Sequence, residues 1–328
     1  MPSAPYSHLS LLSRWILFQR LVEPSGLVNL SVVRYWIVFF LFTTHALAGT
    51  FTAATYNLEF YVDRPTLGNE PKSEQARAII RQSIRTINPD VIALQEIGAT
   101  NALLELRAAL KADGLDFPHW QHVQGWDANL HVAFLSKLPF TAIRHHTQED
   151  YLHRGRRYHV LRGFGEVEVQ FENRRITLMT AHLKSKRQTA EADQEEIRIE
   201  EAKLLREKVD EHLQRDPRAN LIVLGDLNDG VGTRVFSTII GKGRNRLIDS
   251  RPHERNGDSL PNPNSRSEPR RIVWTHYYAK EEVYSRIDMI LLSPALQNVY
   301  RPEQSYVLAM KDWGAASDHR PVCVRLEF

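Results

Sequence analysis

Acidic and amide residues recur inside or just beyond apolar runs along this chain. Asn57 stands in "TYNLEFY", Glu96 in "VIALQE", Asp226 and Asn228 in "LIVLGDLND", Asp288 in "RIDMILL" and Asp318 in "SDHRPV". Apolar runs of this length, bounded by turn residues, read as buried β-strands. A buried charge without a partner is costly. A chain that repeats the arrangement must therefore pair each group with its own base or bring the strand ends together. One position is explained by a nearby arginine; six point to convergence on a hard cation. Mg2+ and similar ions take oxygen ligands, often one or two carboxylates with substrate phosphate and water. Taken alone, "GDLNDG" is also ordinary turn chemistry, since Gly, Asp and Asn are the commonest turn formers.

Two histidines join the set. His182 closes the run "ITLMTAH", and His319 follows Asp318 directly. A histidine beside a carboxylate, where phosphate chemistry is expected, can serve as general acid or base.

Between the strand patterns lie helical ones, and the alternation is that of an α/β domain. "SEQARAIIRQSIRTI" carries Ala76, Ile80, Ile84 and Ile87 on one face, with Ser73 as cap and Asn88-Pro89 as stop. "NALLELRAALKADG" is a second amphipathic helix ending at Gly114. Residues 189–214 form a long acidic helical run whose acids read as a solvated face. Arg251 to Arg271, rich in Pro, Asn, Ser and Arg, reads as a long surface loop. With no internal repeat or low-complexity linker, residues 49–328 read as a single domain. The one cysteine, Cys323, sits in the strand pattern "PVCVRLEF", which excludes an intrachain disulfide and predicts a buried, inert thiol.

Residues 1–48 differ in character. Arg34, the apolar run from Tyr35 to Phe42 and the sequence Ala46-Leu47-Ala48 have the order of a secretory signal cleaved after Ala48. The apolar core is shorter than the ~20 residues that span a bilayer, so a retained membrane anchor is the second reading. The segment ahead of Arg34 is long for such a signal, which suggests a translation start near Val28 or Val32. Export predicts a secreted or periplasmic protein with no transmembrane segment in the mature chain.

The order of "TYNLEFY", "IALQEIG", "TAHLKSK", "GDLND", "SRIDMILLS" and "SDHRPV" resembles the endonuclease/exonuclease/phosphatase superfamily, over about Thr52 to Phe328. The resemblance implies a four-layer α/β sandwich, two mixed β-sheets packed face to face with helices outside. It implies metal-dependent hydrolysis of a phosphate ester by in-line attack of water, with Mg2+ and, as alternatives, Mn2+ or Ca2+. Glu96, Asn57 and Asp318 match metal-site positions. Asp226 and Asn228 match the pair that activates water and holds phosphate. His319 matches the histidine on the scissile phosphate, Asp288 its partner, and His182 a second histidine placed to protonate the leaving oxygen. Asp229 reads as a turn or supporting residue.

The choice of ester rests on less. The formal net charge of +3 carries no strong basic field. Basic clusters nevertheless lie beside the motifs: Arg157 in "HRGRRYH", and Lys184, Lys186 and Arg187 in "HLKSKR". Next to a phosphodiesterase site such clusters can track a nucleic-acid backbone, and "HLKSKR" resembles exported bacterial nucleases. The expectation is a monomeric nuclease of low sequence specificity, with nucleic acid as substrate and no stable protein partner. A sphingomyelinase-like phosphodiesterase is the second reading, and a non-catalytic binding module the third. Tyr277, Tyr278 and Tyr284 read as strand packing rather than a membrane contact.

Overall fold

The computed structural model describes residues 49–187, 193–255 and 271–328. The signal, its cleavage site, the translation start and most of the 251–271 loop lie outside them.

Two sheets form the middle of the molecule. The first has strands in the order β12 (His253–Glu254), β16 (Tyr306–Val307), β17 (Val322–Glu327), β1 (Thr50–Tyr61), β2 (Val91–Ile97), β4 (His131–Ser136), β3 (His119–Val123). The second runs β11 (Ile248–Asp249), β15 (Asp288–Leu292), β10 (Asn220–Asp226), β9 (Arg174–His182), β8 (Phe164–Phe171), β5 (Phe140–Ile143). Both are mixed: β1 pairs parallel with β2 and antiparallel with β17, and β10 pairs parallel with β9 and antiparallel with β15.

Strand alternation sets the layers. On β1, Phe51 and Ala53 pack with Val91, Val169, Ile222 and Leu224 in a core between the sheets. Ala54, Tyr56 and Leu58 of the same strand face a second core under the helices α1 (Glu74–Ile87) and α2 (Thr100–Ala112). A third core joins the outer face of the second sheet to α3 (Gln194–Arg215) and α4 (Arg234–Ile240). The expected four layers are therefore present, helix–sheet–sheet–helix. Ser73 caps α1, its Oγ accepting from Ala76 N at 3.2 Å, and Asn88 ends it in the left-handed region at φ 53°.

Two smaller ribbons stand apart from the sheets: β6 (Asp150–His153) with β7 (Arg156–His159), and β13 (His276–Tyr278) with β14 (Val283–Ser285). The "HRGRRYH" cluster belongs to the first, and the three tyrosines to the second. Packing was expected of those tyrosines, yet Tyr278 and Tyr284 are exposed. Tyr277 and Tyr284 stack on each other within the ribbon, with centroids 4.5 Å apart.

The acidic run also departs from expectation. Arg198, Glu201 and Arg206 of α3 are buried, so that face is not uniformly solvated. Cys323 is buried as predicted, and burial pushes its thiol up to about 11.

Candidate active site

Register brings the first three groups together. Asp226 ends β10 directly opposite His182 on β9 and Asp288 on β15. Gly225 makes this approach possible. Its φ is 142°, and a Cβ there would lie 2.0 Å from the Ala181 carbonyl oxygen, a contact no side chain tolerates.

The first sheet delivers Asn57 and Glu96 by irregularity. Between Asn57 and Tyr61 the β1–β2 register shifts, with Glu59 and Phe60 at positive φ, and Glu96 sits at φ 57° where β2 and β4 slip. Such bulges re-aim side chains at sheet ends. Asn57 Oδ1 accepts from Glu59 N at 3.0 Å and Glu96 Oε2 from Phe60 N at 3.1 Å, fixing both side chains. The Asn57 amide then donates to Glu96 Oε1 at 3.2 Å and, across the two sheets, to Asp226 Oδ2 at 3.0 Å.

The loop before β17 closes the site. Ser317 donates to the Asn57 carbonyl and accepts from His319 N at 3.0 Å. His319 Nδ1 lies 2.8 Å from Asp288 Oδ2, while its Nε2 lies 3.9 Å from Asp226 Oδ2 and 3.7 Å from Asp318 Oδ1. His182 Nε2 is 3.5 Å from Asp226 Oδ2 and 3.9 Å from Glu96 Oε1.

These surroundings set the protonation states. Burial, with the Asp288 charge, raises Asp226 well above the ordinary carboxylate range. Burial opposes charging His319, but Asp288, Asp226 and Asp318 together override it and push its pKa up to about 10. Burial, reinforced by Arg162, His319 and Lys184, drops His182 well below 6.5. One imidazole is charged and the other neutral, and the Nε2 atoms of both face the same oxygen, Asp226 Oδ2. Burial works against Asp318 too, yet its contacts with His276 and His319 hold it below the usual value.

A divalent cation fits this donor set. Asp226, Asp288 and Asp318 each place a carboxylate oxygen within 4.8 Å of a ring nitrogen of His319, and the oxygens are the donors, because the charged ring has no lone pair to offer. Asp288 Oδ1 and Asp318 Oδ1 are buried without a hydrogen-bond partner. Oxygen atoms so placed suit a hard ion.

Asn228, at φ 52°, is held tightly: its N–H reaches Asp226 Oδ1 at 2.8 Å, and its amide donates to the Leu183 carbonyl at 2.9 Å. It thereby ties the loop after β10 to the one after β9. Asp229 supports the same loop through Arg198 Nε at 3.2 Å, with Lys186 Nζ at 3.3 Å. Of the four expected substrate cations, Lys184 and Lys186 lie on the loop next to His182. Arg187 follows them. Arg157 is joined instead to Asp150 within its own ribbon at 2.6 Å.

Three site residues were not found in the sequence. His276 contacts Asp318 Oδ2 at 3.5 Å from β13. Arg162, before β8, lowers His182 by its charge and keeps a buried Nη1 without a hydrogen-bond partner. Glu201 of α3 accepts the Lys184 N–H at 2.7 Å. An isolated Arg or His carries no spacing signal, and Glu201 lay hidden among the solvated acids of its helix.

Glu201 gives a stability test. Burial, partly offset by the Lys184 N–H and by Arg162, pushes its pKa from 4.5 up to about 7. Its stabilising effect is thus complete below 4.5 and lost as pH rises through 7. At ~1.4 kcal/mol per pKa unit, the loss is about 3 kcal/mol. The Tm of Glu201→Gln, relative to the native chain, should rise between pH 5 and pH 9. A pH-independent difference would contradict this assignment.

The sequence profile of the Endonuclease/Exonuclease/phosphatase family matches residues 54–319. The chain belongs to this family. Its members are hydrolases of phosphate esters, and the acidic and histidine groups above are of the kind that bind their divalent metal. Among solved structures, truncated Caenorhabditis elegans TDP2 is similar at TM-score 0.55 and 16% identity, covering 86% of this chain and 99% of that one. A family protein from Leptotrichia buccalis has TM-score 0.56 and 18% identity, covering 85% of this chain and 100% of its own. Sphingomyelinase C from Streptomyces griseocarneus has TM-score 0.55 and 17% identity, with coverage of 85% and 100%. At such identities the likeness is one of fold. No curated protein sequence matches.

Proposed function

We propose that this family member is an exported, divalent-metal-dependent phosphodiesterase that cuts nucleic acid with little sequence preference. The observation that carries the reading is Asp226, in register between His182 and Asp288 with a charged His319 facing it. Raised above the carboxylate range, Asp226 is a base able to take a proton from water. Asn57 and the Asn228 N–H hold that carboxylate in place. His319, oriented by Asp288, presents positive charge where a phosphoryl oxygen gains negative charge. His182, neutral, brings its Nε2 to 3.5 Å from the same Asp226 oxygen. A cation such as Mg2+, held among Glu96, Asn57 and Asp318, would supply Lewis-acid neutralisation of the phosphate. Lys184 and Lys186, on the loop next to His182, support an anionic, extended substrate rather than a lone headgroup. Among the described residues no helix is long and apolar enough to cross a membrane.

The test uses the 49–328 chain with supercoiled plasmid, single-stranded RNA and sphingomyelin vesicles, each with Mg2+, Mn2+, Ca2+ or chelator. Strand cleavage that chelator abolishes is the expected result. Phosphocholine release with intact nucleic acid would assign the chain to lipid substrates instead.

A further inference from the structure

On the strands that carry the site, the residues facing the core between the sheets change from apolar to polar in step. On β1 the order is Ala53, Thr55, Asn57, and on β2 it is Ala93, Gln95. On β9 it is Leu178, Thr180, His182, and on β10 it is Leu224, Asp226. Thr55, Gln95 and Thr180 are fully buried. They are joined in one chain: the Thr55 hydroxyl donates to Gln95 Oε1 at 3.0 Å, and Gln95 Nε2 donates to Thr180 Oγ1 at 3.2 Å. The second of these bonds crosses from the first sheet to the second. Gln95 stands beside Asn57 in the register of β1 with β2, and Thr180 lies two residues before His182. The tie therefore sits directly beneath the groups that meet at Asp226. Gly165, opposite Thr180 on β8, helps to set it: a Cβ there would lie 3.0 Å from the Thr180 methyl, so the glycine leaves room for that methyl while the hydroxyl oxygen is turned to Gln95.

Stability alone does not call for this layer. Replacing hydrogen-bonded partners together by apolar groups of the same shape is close to neutral or stabilising. What the polar layer adds is direction. Hydrophobic attraction is non-directional, whereas a hydrogen bond holds its partners within a narrow range of distance and angle. The catalytic layer above needs such control, because Asn57 comes from one sheet and reaches Asp226 on the other at 3.0 Å. We propose that Thr55, Gln95 and Thr180 are positioning residues whose hydrogen bonds fix the two sheets at the separation where Asn57 meets Asp226. This rests on the phosphodiesterase reading above, in which Asp226 takes the proton from water. The tie touches neither substrate nor water; it acts through the strands that carry Asn57, Asp226 and His182.

The experiment sets activity against stability in two variants of the 49–328 chain. The probe is bis(p-nitrophenyl) phosphate with Mg2+ or Mn2+, a small diester that needs neither a strand nor a lipid surface. The triple variant Thr55→Val/Gln95→Met/Thr180→Val removes every polar group of the layer at nearly constant volume. Its Tm should equal or exceed that of the native chain, while kcat falls about 10-fold with KM unchanged. Thr180→Ser keeps the hydroxyl and loses a buried methyl. It should melt below the native chain, as a small cavity requires, yet keep most of kcat. The variant that melts higher is thus the slower one, an order that a purely structural role would reverse. Should the triple variant fail to fold, Thr180→Val is compared with Thr180→Ser at a temperature where both are folded, and the valine variant should be the slower. A folded triple variant with native kcat, or valine and serine variants equally slow, would overturn the tie and leave the phosphodiesterase reading intact. Hydrolysis of the diester without cleavage of any strand would remove the nucleic-acid reading and leave the tie to be judged by the same order. A native chain that hydrolyses neither would remove both.

Discussion

His319→Ala should lower kcat by about 10³-fold while leaving the fold in place, within the ~10²–10⁴-fold typical of a removed acid–base or electrostatic group. The ring is buried among polar groups, with the His276 ring 4.5 Å away, so its loss removes mainly chemistry. What disappears is a positive charge held between Asp288 at 2.8 Å and Asp226 at 3.9 Å. Because its pKa is pushed up to about 10, that charge is present throughout the neutral range. Its removal leaves the Asp226 and Asp288 carboxylates facing each other without it. Steady-state kinetics on the cleaved substrate, beside thermal melts, make the measurement. A variant with native Tm that keeps more than about a tenth of the native kcat would take His319 out of the reaction.

The second large effect is on stability. Arg198→Met should cost about 3–5 kcal/mol, the range for breaking a buried ion pair from one side. Arg198 reaches from α3 to Asp229 at 3.2 Å and to the carbonyls of Lys184 and Ser185. Methionine fills similar space but leaves Asp229, 3% exposed, with the Gly230 N–H and the exposed Lys186, and without its buried positive charge. A loss of about 10 °C in Tm is expected at this chain length. Adding Asp229→Asn should recover part of it, since the stranded charge is then gone. A shift of under 2 °C in the single variant would show that the clamp between the two loops carries little.

The two tests probe different depths of the same site. His319 touches the place where the ester would bind; Arg198 holds the loops that carry His182 and Asn228. If the second variant also loses activity at temperatures where it is folded, the loop positions matter to catalysis and not only to stability.

How much of this was legible beforehand follows from what leaves a local signal. The apolar runs, their two-residue alternation and the caps on α1 are properties of neighbouring residues, so β1, β2, β9, β10, β15, β17 and both α1 and α2 could be read directly. The order of the six motifs carried the family and, with it, the four layers. Short strands such as β11, β12 and β16, two residues each, have too few positions to show a period. The break between β14 and β15 split what read as one strand, "YSRIDMILLS".

The sequence by itself determined which groups would converge: Asn57, Glu96, Asp226, Asp288 and His319 each stand at a strand end or beside one. Only the tertiary structure decided how they meet. Asp226 faces His182 and Asp288 because β10 pairs with β9 and β15 in one register, and Asn57 reaches it because two bulges in the other sheet bend toward it. Those are long-range pairings, set by packing between distant segments. The same holds for the states of the two histidines. Their charges differ because three carboxylates override burial at His319, whereas burial, reinforced by Arg162, His319 and Lys184, prevails at His182. A local string of residues has no means of encoding that difference.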